Sequence, residues 1–412
     1  MDIHLTLRRK ADGTIGGEAA YENICGAYDF ALDRNFAVRR VTDLAGQACS
    51  FEKTHAMPDV YLDQTNTLVY RKAEIYRIGG DVSGGIKIEY AYNGEFTSDI
   101  AYNRISEEMI ALDALYINFF PVPIALETTE KVRAYQKIEA GKENAIEFGE
   151  LTFAIEGFEP YRVINSYSED GRIFVRQFCK ICPFKLLAVN EGKILKKEGG
   201  RATAYYFNEK ESGKAVHIVE EASRMIEWYG ENLFPEQETP ERMYFFSYNA
   251  KKLGAFNRSI TVELERFYSP DTLTGHQFLA HEIAHHWCMS EPPATWNEQM
   301  LAEGGAEWSC LLYSLSQGRA RFMIDYVYLA GRYFVSGIYG LFHRKFYSPH
   351  LHGYRLFRGI YKKHGKDVLE NCIRHFARTE TKTMENFLHA VEANEAAGIY
   401  ACVKNLAEKN FE

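Results

Sequence analysis

Hydrophobic and polar residues alternate with a period of two in the first half of the chain, which predicts β-strands. The alternation is clearest at residues 3–7 and 86–92, and similar stretches lie at 68–78, 146–155 and 172–181. An Asn-Gly pair follows directly after the second of these stretches and predicts a hairpin turn there. Many short strands separated by regular turns are typical of a β-sandwich-like domain.

The hydrophobic period changes to that of a helix after a polar, glycine-containing stretch at residues 190–200. We therefore predict two domains, a β-rich one over residues 1–198 and a mainly helical one over residues 199–412. Together they define an α+β fold. The predicted helices cover residues 212–230, 271–291, 296–315, 319–339, 353–363, 367–377 and 384–393, and the C-terminal tail.

Composition excludes several classes of function. The chain has 412 residues, of which 46% are hydrophobic, and its net charge of −8 argues against binding of nucleic acid. No apolar run reaches the length of a membrane span, and the first residues lack the pattern of a signal peptide. Eight scattered cysteines, including the pair in residues 179–182, are typical of ordinary thiols in a reducing cytosol. We therefore expect a cytoplasmic protein without a membrane partner, and the sequence indicates no oligomeric state.

The strongest chemical signal is the pentapeptide His-Glu-Ile-Ala-His at residues 281–285. Histidines four residues apart lie on one face of a helix, so His281 and His285 can bind the same metal ion. Glu303, on the next predicted helix, supplies a third ligand and leaves a fourth position for water. Glu282 can reach that water as a general base. This arrangement is typical of a zinc metallopeptidase.

Other interpretations of these residues are less favourable. One alternative is a buried helix whose two histidines only form hydrogen bonds. In that case the His-Glu-x-x-His motif and the downstream glutamate would occur together by chance. Glu307 lies four residues after Glu303. It has three possible roles: a metal ligand in place of Glu303, a side chain that supports the ligands from behind, or a solvent-exposed residue. His286 lies on a different face of the helix from the two motif histidines, so we exclude it as a ligand.

The metal region resembles the alanyl aminopeptidase family of gluzincin enzymes. Residues 281–287 read His-Glu-Ile-Ala-His-His-Trp, and residues 296–306 read Trp-Asn-Glu-Gln-Met-Leu-Ala-Glu-Gly-Gly-Ala, close to the two family motifs. The spacing between His285 and Glu303 is one residue shorter than in the family, and the loop at Pro292-Pro293 is the natural place for that deletion. The resemblance implies a thermolysin-like catalytic domain, one zinc ion (Zn2+) held by the two histidines and this glutamate, a peptide substrate and release of N-terminal residues.

The substrate-binding strand of the family is altered in this chain. The family carries Gly-Ala-Met-Glu-Asn, whose Glu holds the free amino terminus of the peptide, and residues 254–258 here read Gly-Ala-Phe-Asn-Arg. By the resemblance Gly254 and Ala255 remain substrate-binding residues. The carboxylate is replaced by Asn257, which can accept a hydrogen bond from an amine but cannot form an ion pair with it.

The group that stabilises the oxyanion is altered as well. The family uses a Tyr hydroxyl at the start of a helix, and alignment on Gly353 puts His350 at that position. Tyr347 lies one turn before His350, and Tyr354 directly follows the glycine. We predict that Tyr347 donates the stabilising hydrogen bond, with His350 and Tyr354 as the alternatives.

These features together predict a zinc-dependent peptidase, with aminopeptidase activity ahead of its alternatives. The loss of the family's amine-binding carboxylate favours an endopeptidase instead. Hydrolysis of a non-peptide substrate by the same zinc-bound water is a further alternative. The last is a zinc-containing binding protein without turnover, although a purely structural zinc is normally closed by four protein ligands.

Overall fold

The computed structural model describes most of the chain, and the described residues form two compact units, Met1–Ile194 and Leu195–Glu412. The division lies slightly before the predicted boundary between residues 198 and 199. The structure describes residues 1–24, 28–56, 73–79, 84–93, 104–113, 118–125, 149–164, 166–176, 185–249, 252–256, 273–289, 296–342, 349–379 and 381–411.

Strands dominate the first unit, as the alternating pattern predicts. Its described residues form sheets with the strand orders β13-β14-β11-β1-β2-β7-β4, β10-β3-β6-β5 and β12-β15-β9-β8. The strands are β1 Asp2–Arg9, β2 Ile15–Glu22, β3 Tyr28–Asp33, β4 Phe36–Asp43, β5 Phe51–Ala56, β6 Ala73–Ile78, β7 Gly85–Tyr92, β8 Arg104–Ile105, β9 Met109–Asp113, β10 Val122–Ala125, β11 Leu151–Glu156, β12 Arg162–Val163, β13 Ser166–Glu169, β14 Arg172–Val175 and β15 Lys185–Val189.

Strand β1 shows how the alternating pattern builds the core of this unit. Ile3, Leu5 and Leu7 are at most 1% exposed, because every second side chain of a strand points to the same face of the sheet. The strand pairs antiparallel with β2 and parallel with β11. The parallel pair joins residues that are far apart in sequence, so it closes the unit through a long-range contact.

The hairpin predicted after residue 92 is wrong. Strand β7 pairs antiparallel with β2 along one edge and with β4 along the other. Since strands that precede β7 in the chain fill both of its edges, no edge is left for a strand that follows it. An Asn-Gly pair favours a tight turn locally, but which strands pair is decided by the order of the whole sheet.

A small sheet and a series of helices form the second unit. Strand β16 would be cut by the predicted domain boundary, but it pairs with β17 and therefore belongs to this unit. The sheet has the order β16-β17-β18-β19. Its elements are β16 Leu195–Gly199, β17 Ala202–Tyr206, α1 Ser212–Trp228, β18 Met243–Asn249, β19 Lys252–Phe256, α2 Leu273–Cys288, α3 Trp296–Ser316, α4 Arg319–Phe342, α5 Pro349–Arg378, α6 Met384–Asn394 and α7 Ala397–Phe411.

The helical periodicity of the sequence is confirmed in this unit. In α1 the predicted apolar stripe is buried, and Ile218, Met225 and Ile226 are at most 2% exposed. Helix α5 contains both of the helices predicted around residue 365, and Gly365 interrupts it with a positive φ of 84°. Within the part of the chain that the structure describes, no helix is both long and apolar enough to cross a membrane.

Candidate metal centre

Helix α2 brings the two motif histidines together, as their spacing predicts. The Nε2 atoms of His281 and His285 are 3.0 Å apart, and the two rings are nearly perpendicular at 88°. The helix is fixed from its other side, where Ile283 is 2% exposed and Tyr229 donates a 3.0 Å hydrogen bond to the carbonyl of Ala280. The backbone that carries the two rings is therefore anchored in the core.

Glu303 reaches both histidines from helix α3. Its Oε2 atom lies 3.2 Å from Nε2 of His281 and 3.3 Å from Nε2 of His285. Around a tetrahedral zinc ion with bonds of about 2.0–2.1 Å, neighbouring ligand atoms are about 3.3–3.4 Å apart. Two imidazoles and one carboxylate are also donors that zinc prefers. The three donor atoms therefore have the spacing and the chemistry of ligands to one zinc ion.

The charge state of Glu303 also fits a cation. Burial alone would raise the pKa of Glu303, but the positive charges of His350 and His285 lower it well below its ordinary value. Its Oε2 atom lies within 3.3 Å of ring nitrogens of His281 and His285. An ionised carboxylate oxygen at this distance from two imidazoles can bind a cation together with them once the imidazoles are neutral.

Glu282, the predicted base, occupies the position next to His281 and is half-buried. Desolvation raises the pKa of Glu282 above its ordinary value, while the charges of His281 and His285 oppose that shift. A carboxylate whose pKa is raised toward neutrality is better matched to accepting a proton at physiological pH.

Glu307 lies behind His281 and does not face solvent, since it is only 3% exposed. Its Oε2 atom is 3.8 Å from Nδ1 of His281, the ring nitrogen opposite the one that faces Glu303. Tyr333 of helix α4 donates a hydrogen bond to Oε1 of Glu307, and a guanidinium nitrogen of Arg332 lies 4.0 Å from the same atom. Burial opposes ionisation of Glu307, but His281 and His350 lower its pKa to about 2. Glu307 therefore provides a fixed negative charge behind the ligand.

His350, at the start of helix α5, joins the same cluster. Its Nδ1 atom is 3.2 Å from Oε2 of Glu303 and 3.8 Å from Oε1 of Glu307. Its ring centre is 5.6 Å from that of His281. One donor atom from each of His281, Glu303 and His350 lies within 4.8 Å of the other two. The centre therefore combines side chains from helices α2, α3 and α5.

A backbone contact between α3 and α5 fixes this approach. A Cβ atom on Gly304 would lie 2.6 Å from the backbone of Gly353, and one on Gly353 would lie 2.2 Å from the carbonyl oxygen of Met300. Only glycine allows helices to approach this closely. Because Gly304 directly follows Glu303 and Gly353 is one turn after His350, the contact holds these two side chains opposite each other.

Comparison with known proteins finds solved structures that are similar to this chain. No family model matches the chain, and no curated protein does. Native leukotriene A4 hydrolase from Saccharomyces cerevisiae matches with a TM-score of 0.58 and 14% identity over 99% of this chain and 66% of that chain. An M1 zinc metallopeptidase variant from Deinococcus radiodurans matches with a TM-score of 0.52 and 12% identity over 99% of this chain and 93% of that chain.

The chain has the fold of the M1 zinc metallopeptidases. A second Deinococcus radiodurans structure, a variant bound to a Tyr-Ser-Ala substrate, gives a TM-score of 0.51 with 12% identity over 98% of this chain and 92% of that chain. These matches confirm the predicted α+β fold, with a β-rich first part and a mainly helical metallopeptidase-like second part. The chain spans about two thirds of the yeast protein.

The remaining predicted residues lie in different parts of this M1 fold. Gly254 and Ala255 lie on β19, paired with residues of β18, at the end of the sheet order. Asn257 and Tyr347 lie outside the described residues. Tyr354 is 3% exposed, and its ring packs 5.8 Å from that of Trp308, within the apolar core.

The sequence analysis missed the side chains that lie behind the candidate metal centre. It left Glu307 between three roles, and it did not consider Tyr333 or Arg332 at all. No local signal marks Tyr333, because its contact with Glu307 joins two helices. The signal for the approach of α5 was present as glycines at positions 304 and 353, but their pairing shows only in the fold.

Proposed function

We propose that this protein is a zinc-dependent hydrolase that cleaves peptide bonds. In this proposal His281, His285 and Glu303 bind one zinc ion, and Glu282 is the general base. The observation that carries the proposal is the convergence of three donor atoms within 3.3 Å of one another on an M1-type fold.

The side chains of the centre divide the chemistry between them. Zinc, when bound, supplies a lowered pKa for a ligated water and polarisation of the substrate carbonyl. Glu282 takes a proton from the attacking water, because desolvation has raised the pKa of its carboxylate. The same carboxyl group then gives this proton to the leaving amine. His281 and His285 keep their positions during these transfers, because the core anchors helix α2.

Within peptide hydrolysis, we propose the release of N-terminal residues. The fold supports this, as does the Tyr-Ser-Ala substrate bound to a solved protein of the same fold. Strand β19, which carries Gly254 and Ala255, is the last strand of its sheet in the described part of the chain, so an extended peptide can pair with its edge. Asn257 would then accept a hydrogen bond from the peptide amine, and Tyr347 would donate one to the oxyanion.

Mass spectrometry of a mixed peptide pool tests the proposal. Each peptide is supplied with a free and with an acetylated N-terminus, and zinc-loaded protein is compared with protein treated with a chelator. We expect trimming of the free peptides alone, and we expect the chelator to abolish it.

The other outcomes separate the alternatives. Internal cuts in both free and acetylated peptides would replace the aminopeptidase with an endopeptidase. Absence of cleavage by zinc-loaded protein would contradict peptide hydrolysis. It would leave a non-peptide hydrolase, such as the yeast neighbour's name describes, or a zinc-containing binding protein.

A further inference from the structure

His350 has the same relation to Glu303 as the two motif histidines have. Its Nδ1 atom is 3.2 Å from Oε2 of Glu303, and the corresponding distances are 3.2 Å for His281 and 3.3 Å for His285. One carboxylate oxygen is therefore surrounded by three imidazole nitrogens. All three distances agree with the separation of about 3.3–3.4 Å expected between neighbouring ligand atoms on a tetrahedral zinc ion.

The position of the His350 ring is determined by backbone packing. The contact between Gly353 and Gly304 holds the first turn of α5 against α3, at the level of Glu303. Nδ1 of His350 faces the carboxylate of Glu303 at 3.2 Å and that of Glu307 at 3.8 Å. When the ring is neutral and its proton lies on Nε2, the lone pair of Nδ1 is directed at this cluster of metal donors and can bind a cation.

We propose that His350 is a fourth protein ligand of the metal ion, binding through Nδ1. The inference rests on the metal site of the proposed function, and it adds a ligand that the sequence motif does not contain. The site then consists of three imidazoles and one carboxylate, contributed by α2, α3 and α5. A catalytic zinc site keeps one position for water, so His350 would hold that position until water replaces it.

Exposure of the side chains identifies the ligand that gives way to water. The side chains of His281 and His285 are 8% exposed, that of Glu303 is 25% exposed and that of His350 is 35% exposed. The two motif histidines are enclosed by the core, whereas His350 lies on the side that solvent reaches. His350 is therefore the ligand that an incoming water or substrate displaces, and its departure opens the position that hydrolysis requires.

Cadmium-113 NMR of protein labelled with 15N-histidine counts the bound rings directly. Each ring nitrogen bound to 113Cd is split by coupling to the metal, and this readout is independent of turnover. In the wild-type protein we expect splitting of one nitrogen in each of three histidine rings, with Nδ1 as the bound atom of His350. In His350→Ala we expect two split signals and a zinc affinity, measured by chelator competition, that is lower by about tenfold or more.

A control variant and the number of split histidine signals decide whether His350 binds the metal. His352→Ala removes a neighbouring histidine of the same helix and should keep all three split signals. Two split signals in the wild-type protein would overturn the proposal and leave the three-ligand site of the proposed function intact. If no cadmium or zinc binds at all, both the fourth ligand and the proposed metal site are wrong.

Discussion

Helix pairs α2–α3 and α3–α5 both bring side chains to the candidate metal centre, but in different ways. In the first pair, the four-residue spacing within α2 already places His281 and His285 on one face. In the second pair, His350 reaches Glu303 only because Gly304 and Gly353 allow two backbones to touch. One half of the centre is therefore encoded by local spacing, and the other half depends on the packing of distant segments.

The largest effect on turnover is expected from a substitution in helix α2, in the locally encoded half of the centre. Glu282→Gln should lower kcat about 10²–10⁴-fold, because the amide cannot accept the proton from the attacking water. Zinc content, measured by elemental analysis, should stay at the wild-type level, since Glu282 is not among the proposed ligands. A variant that retains full turnover would show that another group acts as the base.

The sequence could predict the α2–α3 half because helical period and motif spacing are local properties. His281, Glu282, His285 and Glu303 follow from a pentapeptide and a downstream glutamate, and the helices that carry them form as predicted. Their roles stay predictions, and so does the role of Tyr347, which lies outside the described residues.

The α3–α5 half could not be predicted, for the same reason that the hairpin after β7 is wrong. Both depend on which segments pack together over long sequence separations. Alignment on Gly353 indicates His350 as an oxyanion group, and nothing in the sequence indicates that it lies beside Glu303. The burial of Glu307 against Tyr333 is likewise a product of the approach of α4 to α3.

The electrostatic interaction between His285 and Glu303 should make zinc binding depend on pH. Burial lowers the pKa of His285, but the carboxylate of Glu303 raises it more, to about 9. Because zinc binds only the neutral imidazole, a proton must leave below that pKa. Release of the proton from His285 alone should raise the apparent affinity by about tenfold for each pH unit from neutrality up to about 9, where this contribution ends.

Titration calorimetry with zinc, corrected for the protonation of the buffer, checks the size and sign of this effect. An NMR titration of His285 in metal-free protein is the control, since it measures the pKa independently of the metal. An affinity that stays constant between neutrality and pH 9 would show that Glu303 does not hold a proton on His285.

The packing-dependent half can be disturbed without changing any donor. Gly353→Ala places a methyl group against the backbone of α3 and should lower the free energy of unfolding by about 1–3 kcal/mol. Gly331→Ala in α4 is a matched control, because nothing lies within 4 Å of its added Cβ. That substitution should raise the free energy of unfolding by about 0.5–1 kcal/mol, through the helix propensity of alanine. Equal effects in denaturant melts of the two variants would contradict the close approach of α3 and α5.

The smallest effect on zinc affinity is expected from a substitution of Glu307, which lies behind His281. Glu307→Gln keeps the shape of the side chain but removes the negative charge 3.8 Å from Nδ1 of His281. The ring then becomes a weaker donor through Nε2, so zinc affinity should fall by about tenfold. Glu395→Gln is the matched control, because it removes a carboxylate that contacts a different histidine, His375, at 3.1 Å. Chelator competition measures both variants. If Glu307→Gln binds zinc as tightly as Glu395→Gln, the charge behind His281 does not act on the metal, and the locally encoded half functions without help from the packing around it.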